Sequence, residues 1–268
     1  MFGCSFTNYI WPTWADFLSF DYDEYYNYGQ EGAGNQFIFE QLSEAIITHD
    51  IDRLDTVIIM WSTYQRHDLY RNNKWVTPGN VLNAHPIYDI QYIEKYFDIK
   101  GSILHTFNFI HAAQQMLDNI GCKWRSASHQ DMTMPLGEVY GTERIMRMNT
   151  WFRNYLLWDE FPELKKYKSI FEGNWIMPSL SEFRDTIKSP GRIKTRWQPG
   201  SEPGIDHHPT PKMHLDWLIH VGLHDNNGDD RMSKRLLHNW NRAFPTNSIY
   251  SGDGKQWCEE NIPHVIKL

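Results

Sequence analysis

The sequence predicts a protein of the α/β class with a central parallel sheet. The run 55–62 is short, apolar and rich in β-branched residues, as is typical of a strand buried in a parallel sheet. Two turn-and-helix segments precede this run, and they begin at Gly3 and Gly29. Strands or turns therefore alternate with helices along the chain, which favours an α/β sheet whose ends carry loops.

The first elements are predicted to be short. Only two residues precede the turn 3–7, so the first strand should be almost absent. Either the start is truncated or the first strand is very short. The aromatic segment 11–18 follows, and we expect a helix there because Pro12 suits a first helical turn, where its missing N–H has no cost. A second strand is expected to end near Tyr28.

Helical spacing and turn residues predict the remaining elements. Apolar residues recur at helical spacing over 36–47 and 102–120, and Gly121 should cap the second of these helices. The other assignments are a long loop over 63–101, a strand over 122–128, an aromatic-rich helical insertion over about 129–200, a helix over 212–221 and an exposed loop over 226–230. We divide the chain into an α/β domain, 1–221, which contains the insertion, and a C-terminal extension, 222–268, that packs on it.

The overall composition argues against two kinds of partner. The chain has 268 residues and a formal net charge of −7, whereas a nucleic-acid-binding protein would present a basic face. No apolar run approaches the roughly 18 residues of a membrane span. Three widely spaced cysteines indicate free thiols in a reducing compartment. With no secretion signal visible we expect a cytoplasmic protein, and release by lysis or incorporation into a particle would leave the same signature.

A serine on a tight turn is the first candidate for chemistry. Ser5 lies where its hydroxyl would be exposed and its own N–H would face a developing oxyanion. A serine nucleophile needs a base, and a histidine base needs an acceptor that orients it. His208 and Asp206 supply both at another predicted strand-to-helix junction. Such junctions share one edge of a parallel sheet, as does the glycine turn that contains Gly32.

These segments resemble the sequence blocks of the SGNH (GDSL-type) hydrolase family. The turn 3–7 is similar to the first block, Gly-Asp-Ser with a serine nucleophile, and 27–32 is similar to the second, Asn-x-x-x-x-Gly. The run 57–62 resembles the strand before the third block, and 206–209 resembles the fifth block with its His-Pro turn. The matches lie near the two ends of the chain, in the family's order.

The resemblance implies a fold, an activity and a set of site residues. The fold would be a three-layer α/β/α, flavodoxin-like domain. The activity would be that of a serine esterase that removes acetyl or other acyl groups from a glycan or a similar ester through an acyl-enzyme, with no cofactor. Ser5 would be the nucleophile, His208 the base and Asp206 its orienting acceptor. Oxyanion and substrate contacts would come from Gly32, Asn35, Thr63 and Arg66. The aromatic content of 15% is compatible with stacking on sugars.

Three positions depart from the family pattern. Cys4 replaces the usual aspartate, which takes no part in proton transfer. The third-block asparagine, an oxyanion donor, is absent. Thr63 falls nearest its place, and Ser62 and Arg66 are alternative donors. Losing one such donor costs about 3 kcal/mol of transition-state stabilisation. Asp206 lies two residues before His208 instead of three, so a triad and a Ser–His dyad both fit.

Each candidate residue also has a structural alternative. Ser5 would otherwise be a plain turn residue, and His208 or Asp206 would otherwise cap the helix that follows. His207 is a second candidate base, although a residue directly before proline fits the family better.

Other functions are open as well. A metal site could be built from His207, His208, His214 and Asp206, but the cluster lacks the helical HExxH arrangement. The glycine loop 29–34 lacks the Lys-Ser/Thr pair of a nucleotide-binding P-loop. The main alternative is a non-catalytic descendant of the fold that binds glycans, or that forms a homo-oligomer or a subunit of a larger assembly such as a phage virion.

Overall fold

The computed structural model describes most of the chain. The described residues are 1–81, 87–133, 157–187, 193–195, 202–224, 231–245, 249–250, 253–262 and 265–266. The predicted exposed loop over 226–230 lies outside them.

Short strands and longer helices alternate along the described ranges. The strands are β1 (Phe2–Gly3), β2 (Tyr25–Tyr26), β3 (Tyr28–Gly29), β4 (Thr56–Trp61), β5 (Leu69–Arg71), β6 (Lys74–Val76), β7 (Lys123–Ser128), β8 (Ile193–Thr195), β9 (Gly204–Asp206), β10 (Ile249–Tyr250) and β11 (Val265–Ile266). The helices are α1 (Trp14–Leu18), α2 (Asn35–Thr48), α3 (Ile90–Tyr96), α4 (Ile99–Ile120), α5 (Leu157–Glu160), α6 (Leu180–Thr186), α7 (Pro211–His220), α8 (Arg231–Ala243) and α9 (Asp253–Asn261). Two 3₁₀ helices cover Ser19–Asp21 and Pro162–Phe171.

The central sheet has four parallel strands in the order β3-β1-β4-β7. The expectation of an almost absent first strand is confirmed, because β1 has two residues, of which Phe2 pairs with Tyr28 on one side and Ile59 on the other. Successive side chains of a strand point to opposite faces, and every residue from Val57 to Trp61 is buried. Both faces of the sheet are therefore covered, which confirms the α/β class and is compatible with three layers.

Two groups of helices cover the sheet. The helices α2 and α4 pack against each other, and α2 also contacts β1, β3 and β4. The helix α1 packs with α7 and α8. The predicted helices over 36–47 and 102–120 are confirmed as α2 and α4, and Gly121 ends α4 in the left-handed conformation with φ of +77°. The strand predicted over 122–128 is confirmed as β7.

The prediction of a long loop over 63–101 is wrong. Strands β5 and β6 form an antiparallel hairpin, and α3 and the start of α4 follow it. Asn72 and Asn73 connect the two strands, and both have positive φ, 54° and 59°. Two adjacent residues with positive φ form the hairpin turn whose twist matches the strands, and asparagine tolerates that conformation. The Asn-Asn pair was therefore the local signal for this hairpin.

The described part of the predicted insertion packs into the core. The rings of Trp158, Tyr167 and Phe171 surround Phe107 of α4, with centroid distances of 5.9, 5.6 and 5.2 Å. A hydrogen bond from the same helix reinforces this contact, since Gln114 Nε2 donates to the carbonyl of Ile170 at 2.7 Å. The insertion residues 134–156, 188–192 and 196–200 lie outside the described residues.

The described part of the C-terminal extension also joins the core. Ser233 Oγ on α8 donates to the carbonyl of Phe17 on α1 at 3.3 Å. Trp240 is 1% exposed, and its ring lies close to Gly254 at the start of α9. None of the helices in the described ranges is long and apolar enough to cross a membrane.

Much of the aromatic content is interior. Within the described residues, five tryptophans are almost completely buried: Trp11, Trp14, Trp61, Trp217 and Trp240. Their contribution is to the hydrophobic core and not to a sugar-binding surface.

The buried imidazole of His214 makes the stability of the fold depend on pH. His214 on α7 is 1% exposed, and burial, with a smaller effect of the His208 charge, lowers its pKa from 6.5 to about 3. The unfolded chain therefore binds a proton between pH 6.5 and about 3 that the folded chain does not. This contribution to stability is present above pH 6.5 and is lost as the pH falls, by about 1.4 kcal/mol per pH unit.

We expect His214→Leu to reduce the difference in unfolding free energy between about pH 7 and about pH 5, measured by urea denaturation. The exposed His220 on the same helix provides the control His220→Gln, which should leave the difference unchanged. An unaltered pH dependence in His214→Leu would show that the imidazole is not held neutral.

Candidate active site

Four loops meet where the parallel strands of the central sheet end. The turn that contains Ser5 follows β1, and the turn that contains Gly32 follows β3. The segment with Thr63 follows β4, and His129 follows β7. The carboxyl ends of parallel strands lie at one edge of a sheet, where ligand sites of α/β proteins form.

The turn that carries Ser5 is held in place by backbone and side-chain hydrogen bonds. The N–H groups of Thr7 and Asn8 donate to the carbonyl of Cys4 at 2.8 and 3.2 Å. The carbonyl of Thr7 in turn accepts from Thr13 Oγ1 at 2.6 Å and from Asn27 Nδ2 at 3.0 Å. These bonds tie the serine turn to the start of α1 and to the segment before β3.

Ser5, His208 and Asp206 form a continuous chain of hydrogen bonds. Ser5 Oγ lies 2.8 Å from His208 Nε2, although the two residues are 203 positions apart in the sequence. His208 Nδ1 lies 2.7 Å from Asp206 Oδ1. The structure therefore brings together the three residues that the sequence indicated as nucleophile, base and orienting acceptor. Asp206 is buried, and the side chain of His208 is 24% exposed.

The charge of Asp206 fixes the tautomer of the imidazole. Burial opposes its ionisation, but hydrogen bonds from the His208 ring and backbone and from Tyr9 outweigh this effect and lower the pKa of Asp206 below its usual 3.8. The ionised carboxylate only accepts, so Nδ1 of His208 carries the proton and donates to it. In the neutral ring Nε2 is then an acceptor, and the Ser5 hydroxyl donates to it.

The short spacing between Asp206 and His208 is accommodated by a local turn. The backbone N–H of His208 donates to Asp206 Oδ1 at 2.8 Å, so one carboxylate oxygen contacts both the backbone and the ring of the same residue. The structural alternative in which these residues cap the next helix is wrong. Thr210 caps α7, and its Oγ1 accepts from the N–H of Met213. His207 is exposed, and its carbonyl accepts from Arg184 Nη1 at 3.2 Å.

Aromatic side chains that the sequence did not indicate surround His208. Tyr9 stacks on the imidazole at 4.1 Å between centroids, with 25° between the planes, and its O–H donates to Asp206 Oδ2 at 2.7 Å. Phe6 lies 5.2 Å from the same ring. Trp11 Nε1 donates to the carbonyl of Pro209 at 2.9 Å and so holds the loop after His208. No local sequence pattern indicates these contacts, because they join positions about 200 residues apart.

A second histidine lies near the site. His129 is 4% exposed, and its ring lies 4.7 Å from that of Phe6. Burial, followed by the positive charge of Arg66, lowers its pKa from 6.5 to about 3. His129 is therefore neutral at physiological pH. Its position directly after a buried strand was the signal that could have identified it.

Gly32 occupies a turn that only glycine fits. The N–H of Ala33 donates to the carbonyl of Gln30 at 3.1 Å, and Gly32 has φ of +74° within this turn. A Cβ atom at this position would lie 2.1 Å from the carbonyl oxygen of Thr77. The N–H of Gln30 donates to the carbonyl of Gly3 at 3.1 Å, which places the turn beside the strand that leads to the serine.

Asn35 has a structural role in this geometry. Its Nδ2 group donates to the carbonyl of Ser62 at 2.9 Å and contacts Thr106 Oγ1 at 3.1 Å, and its Oδ1 accepts from the N–H of Ser62 at 2.7 Å. One amide hydrogen thus joins α2 to the end of β4, and the other joins α2 to α4. The N–H of neighbouring Gly34 donates to Asp68 Oδ1 at 2.8 Å. The geometry therefore gives no support to Asn35 as an oxyanion donor.

Thr63 and Arg66 lie in the loop after β4, and both are half-buried. Arg66 Nη1 donates to the carbonyl of Ala33 at 3.0 Å, which links this loop to the Gly32 turn. Arg66 Nε is buried and has no hydrogen-bond partner among the described residues. The positive charge of Arg66 also lowers the pKa of His129, which follows β7 at the edge of the sheet where the serine turn follows β1.

The metal-site interpretation has no support in the described ranges. No group of three or more histidine, cysteine, aspartate or glutamate side chains there is arranged to hold a metal ion. The imidazole of His214 is buried within α7, whereas His208 faces Ser5.

Comparison with known proteins leaves the site to be interpreted from its own geometry. The chain matches no protein-family model, no curated protein and no solved structure.

We expect Gly32→Ala to destabilise the protein more than Gly121→Ala. Both glycines have positive φ, but a Cβ at Gly121 would have no atom within 4 Å, whereas at Gly32 it would meet the Thr77 carbonyl. Gly121→Ala should cost about 1 kcal/mol of backbone strain, and Gly32→Ala should cost about 1–3 kcal/mol more. Urea denaturation of both variants measures the difference, and equal costs would contradict the close approach to Thr77.

Proposed function

We propose that the protein is a serine hydrolase of the SGNH type that cleaves carboxylic esters. The observation that carries the proposal is the hydrogen-bonded chain from Ser5 Oγ through His208 to the Asp206 carboxylate. A buried carboxylate, a correctly tautomeric imidazole and a serine on a tight turn are the parts that nucleophilic acyl transfer needs. The resemblance of the serine, glycine and His-Pro segments to the family blocks supports the same proposal.

In the proposed reaction Ser5 Oγ attacks the ester carbonyl while His208 Nε2 takes its proton. Asp206 stabilises the imidazolium that forms and keeps Nδ1 directed toward itself. His208 then donates the proton to the leaving alcohol, and a water molecule activated by the same imidazole hydrolyses the acyl-enzyme. Asp206 is the third member of this proposed triad, because its carboxylate lies within hydrogen-bonding distance of the ring.

The oxyanion is proposed to bind to backbone N–H groups of Ser5 and Gly32. The third donor is an asparagine in the family. Here it is proposed to be Thr63, which follows β4 as the asparagine follows the corresponding strand of the family. Arg66 is proposed as a substrate contact, because its guanidinium group donates a hydrogen bond to the carbonyl of Ala33 and so lies beside the Gly32 turn. Donors that are fixed before the reaction stabilise the charge that develops in the transition state.

The substrate is proposed to be an acylated glycan or a similar small ester, whose acetyl group is transferred to Ser5 while the alcohol leaves. This part rests on the family resemblance. The exposed Tyr70 and Tyr96, 64% and 59% accessible, are available for stacking on sugars. We further propose the flavodoxin-like arrangement of three layers, which the strand order β3-β1-β4-β7 supports, and a cytoplasmic or particle-associated location.

A second candidate function is that of a non-catalytic glycan-binding or structural subunit. The observation that favours it is the burial of Ser5, which is 3% exposed. A nucleophile must be reached by its substrate, so a serine that stays covered would serve only to hold His208 in place. The reactivity of Ser5 in solution distinguishes the two functions.

We expect the folded protein to react with a fluorophosphonate probe and to hydrolyse an aryl acetate, and Ser5→Ala to lose both. In this mechanism Ser5 Oγ forms the covalent bond to the probe and to the acyl group. Ser5→Ala should therefore abolish labelling and lower the rate of hydrolysis about 10³-fold or more. Ser233→Ala is the matched control, because Ser233 is also buried and its Oγ donates to the carbonyl of Phe17 on α1. A folded wild-type protein that takes up no probe would contradict the hydrolase proposal.

We expect Thr63→Val to lower kcat for the aryl acetate by about 10²-fold with little change in KM, because an oxyanion donor acts mainly in the transition state. Thr63→Ser keeps the hydroxyl and should retain most of the activity. Thr56→Val, at the start of the same strand β4 and the opposite edge of the sheet, is the control. Unchanged kcat in Thr63→Val would exclude this hydroxyl as the third donor.

A further inference from the structure

The second oxygen of Asp206 has its own partner. Asp206 Oδ1 contacts the backbone and the ring of His208, and Asp206 Oδ2 accepts from the Tyr9 O–H at 2.7 Å. A weaker contact comes from Thr195 Oγ1 at 3.4 Å. Tyr9 is 5% exposed, so this bond is made inside the protein and away from solvent.

Tyr9 also contacts the base directly. Its ring is stacked on the His208 imidazole at 4.1 Å, with 25° between the planes. Trp11 also packs against Tyr9, with 4.6 Å between the ring centroids and 82° between the planes. One side chain therefore holds both the carboxylate and the imidazole, the first through its hydroxyl and the second through its ring.

The short spacing between Asp206 and His208 explains why the hydrogen bond from Tyr9 matters. An aspartate so close to the histidine bonds the histidine backbone as well as the ring, and both bonds use the same oxygen. Rotation of the carboxylate about its own axis would exchange its oxygens and misalign the bond to Nδ1. A donor fixed on the other oxygen opposes this rotation, and hydrogen bonds to a charged group are stronger than neutral ones.

We propose that Tyr9 is a positioning residue that sets the orientation of Asp206 and His208 toward Ser5. The proposal rests on the proposed function for its catalytic consequence, and on the hydrogen bond and the stacked rings for its structural part. It adds a fourth side chain to the Ser5–His208–Asp206 chain and accounts for the departure of Asp206 from the family spacing.

Other charged groups face this cluster and enter any pH dependence. Glu31 acts electrostatically on Tyr9, and His129 and His214 each feel the charge of His208. Arg184 acts on His129 from α6. Burial, followed by the charge of Asp206, raises the pKa of the Tyr9 phenol far above its usual value of 10, so the hydroxyl keeps its proton and stays a donor.

The test compares Tyr9→Phe, which removes only the hydroxyl, with Tyr88→Phe. Tyr88 is also buried, and its O–H donates to the carbonyl of His67 in a separate cluster, so it is a matched control. Two quantities are measured in each protein: the rate constant of fluorophosphonate labelling as a function of pH, and the low-field NMR signal of the His208 Nδ1 proton. The same pair of variants is repeated in an Asp206→Asn background.

We expect Tyr9→Phe to slow labelling about tenfold, as loss of a hydrogen bond to a charged group would. The acid limb of its pH profile should move to higher pH. Without the hydrogen bond from the phenol, the Asp206 carboxylate attracts the proton on His208 Nδ1 more strongly. The Nδ1 proton signal should shift, and in the Asp206→Asn background Tyr9→Phe should have little further effect. Tyr88→Phe should change none of these readouts.

The outcomes separate this inference from the proposed function. Wild-type labelling together with an unchanged rate, pH profile and Nδ1 signal in Tyr9→Phe would overturn the role of Tyr9 and leave the hydrolase proposal standing. No wild-type labelling, with an Nδ1 signal that still shifts in Tyr9→Phe, would overturn the hydrolase and support the positioning role. Equal slowing by Tyr9→Phe in both Asp206 backgrounds would show that the tyrosine acts through general stability, and would overturn the proposal.

Discussion

A carboxylate inside a protein needs hydrogen bonds that replace its lost hydration, and in this chain the hydrogen bonds to Asp206 shape the site. Its oxygens are reached by the backbone and ring of His208, by Tyr9 and, at a longer distance, by Thr195. These partners come from the first ten residues, from β8 and from the loop before α7. A buried carboxylate without partners would cost several kcal/mol of folding free energy. The folded state is therefore stable only when these three parts of the chain assemble around Asp206.

The sequence was sufficient for those features that depend on local pattern. The apolar run of β4 and the glycine that ends α4 each follow from residues within a few positions, and the structure agrees with both. The pairing of Ser5 with His208 followed from a different argument, that strand-to-helix junctions of a parallel sheet share an edge. That argument predicts that the two residues lie near each other but does not give their distance. In the structure Ser5 Oγ lies 2.8 Å from His208 Nε2.

Other features could not be predicted because they depend on long-range packing. Tyr9 looked like one more aromatic residue in a segment rich in them, and only the return of the chain near residue 206 gives its hydroxyl a carboxylate to bond. Asn35 was assigned to the site for its place after a glycine turn, yet its amide bonds the end of β4. The hairpin of β5 and β6 was overlooked although Asn72 and Asn73 are typical turn residues, since the flanking strands are short and polar.

The separation of 203 residues between Ser5 and His208 has a consequence for the protein during its synthesis. The serine is synthesised 203 residues before the imidazole that would activate it, and strands β3, β4 and β7 of the central sheet are made in between. A fragment that stops before His208 holds a hydroxyl of ordinary, low reactivity. Under the proposed function, activation of the serine would therefore wait until the chain has been extended and folded far enough to join these two distant segments.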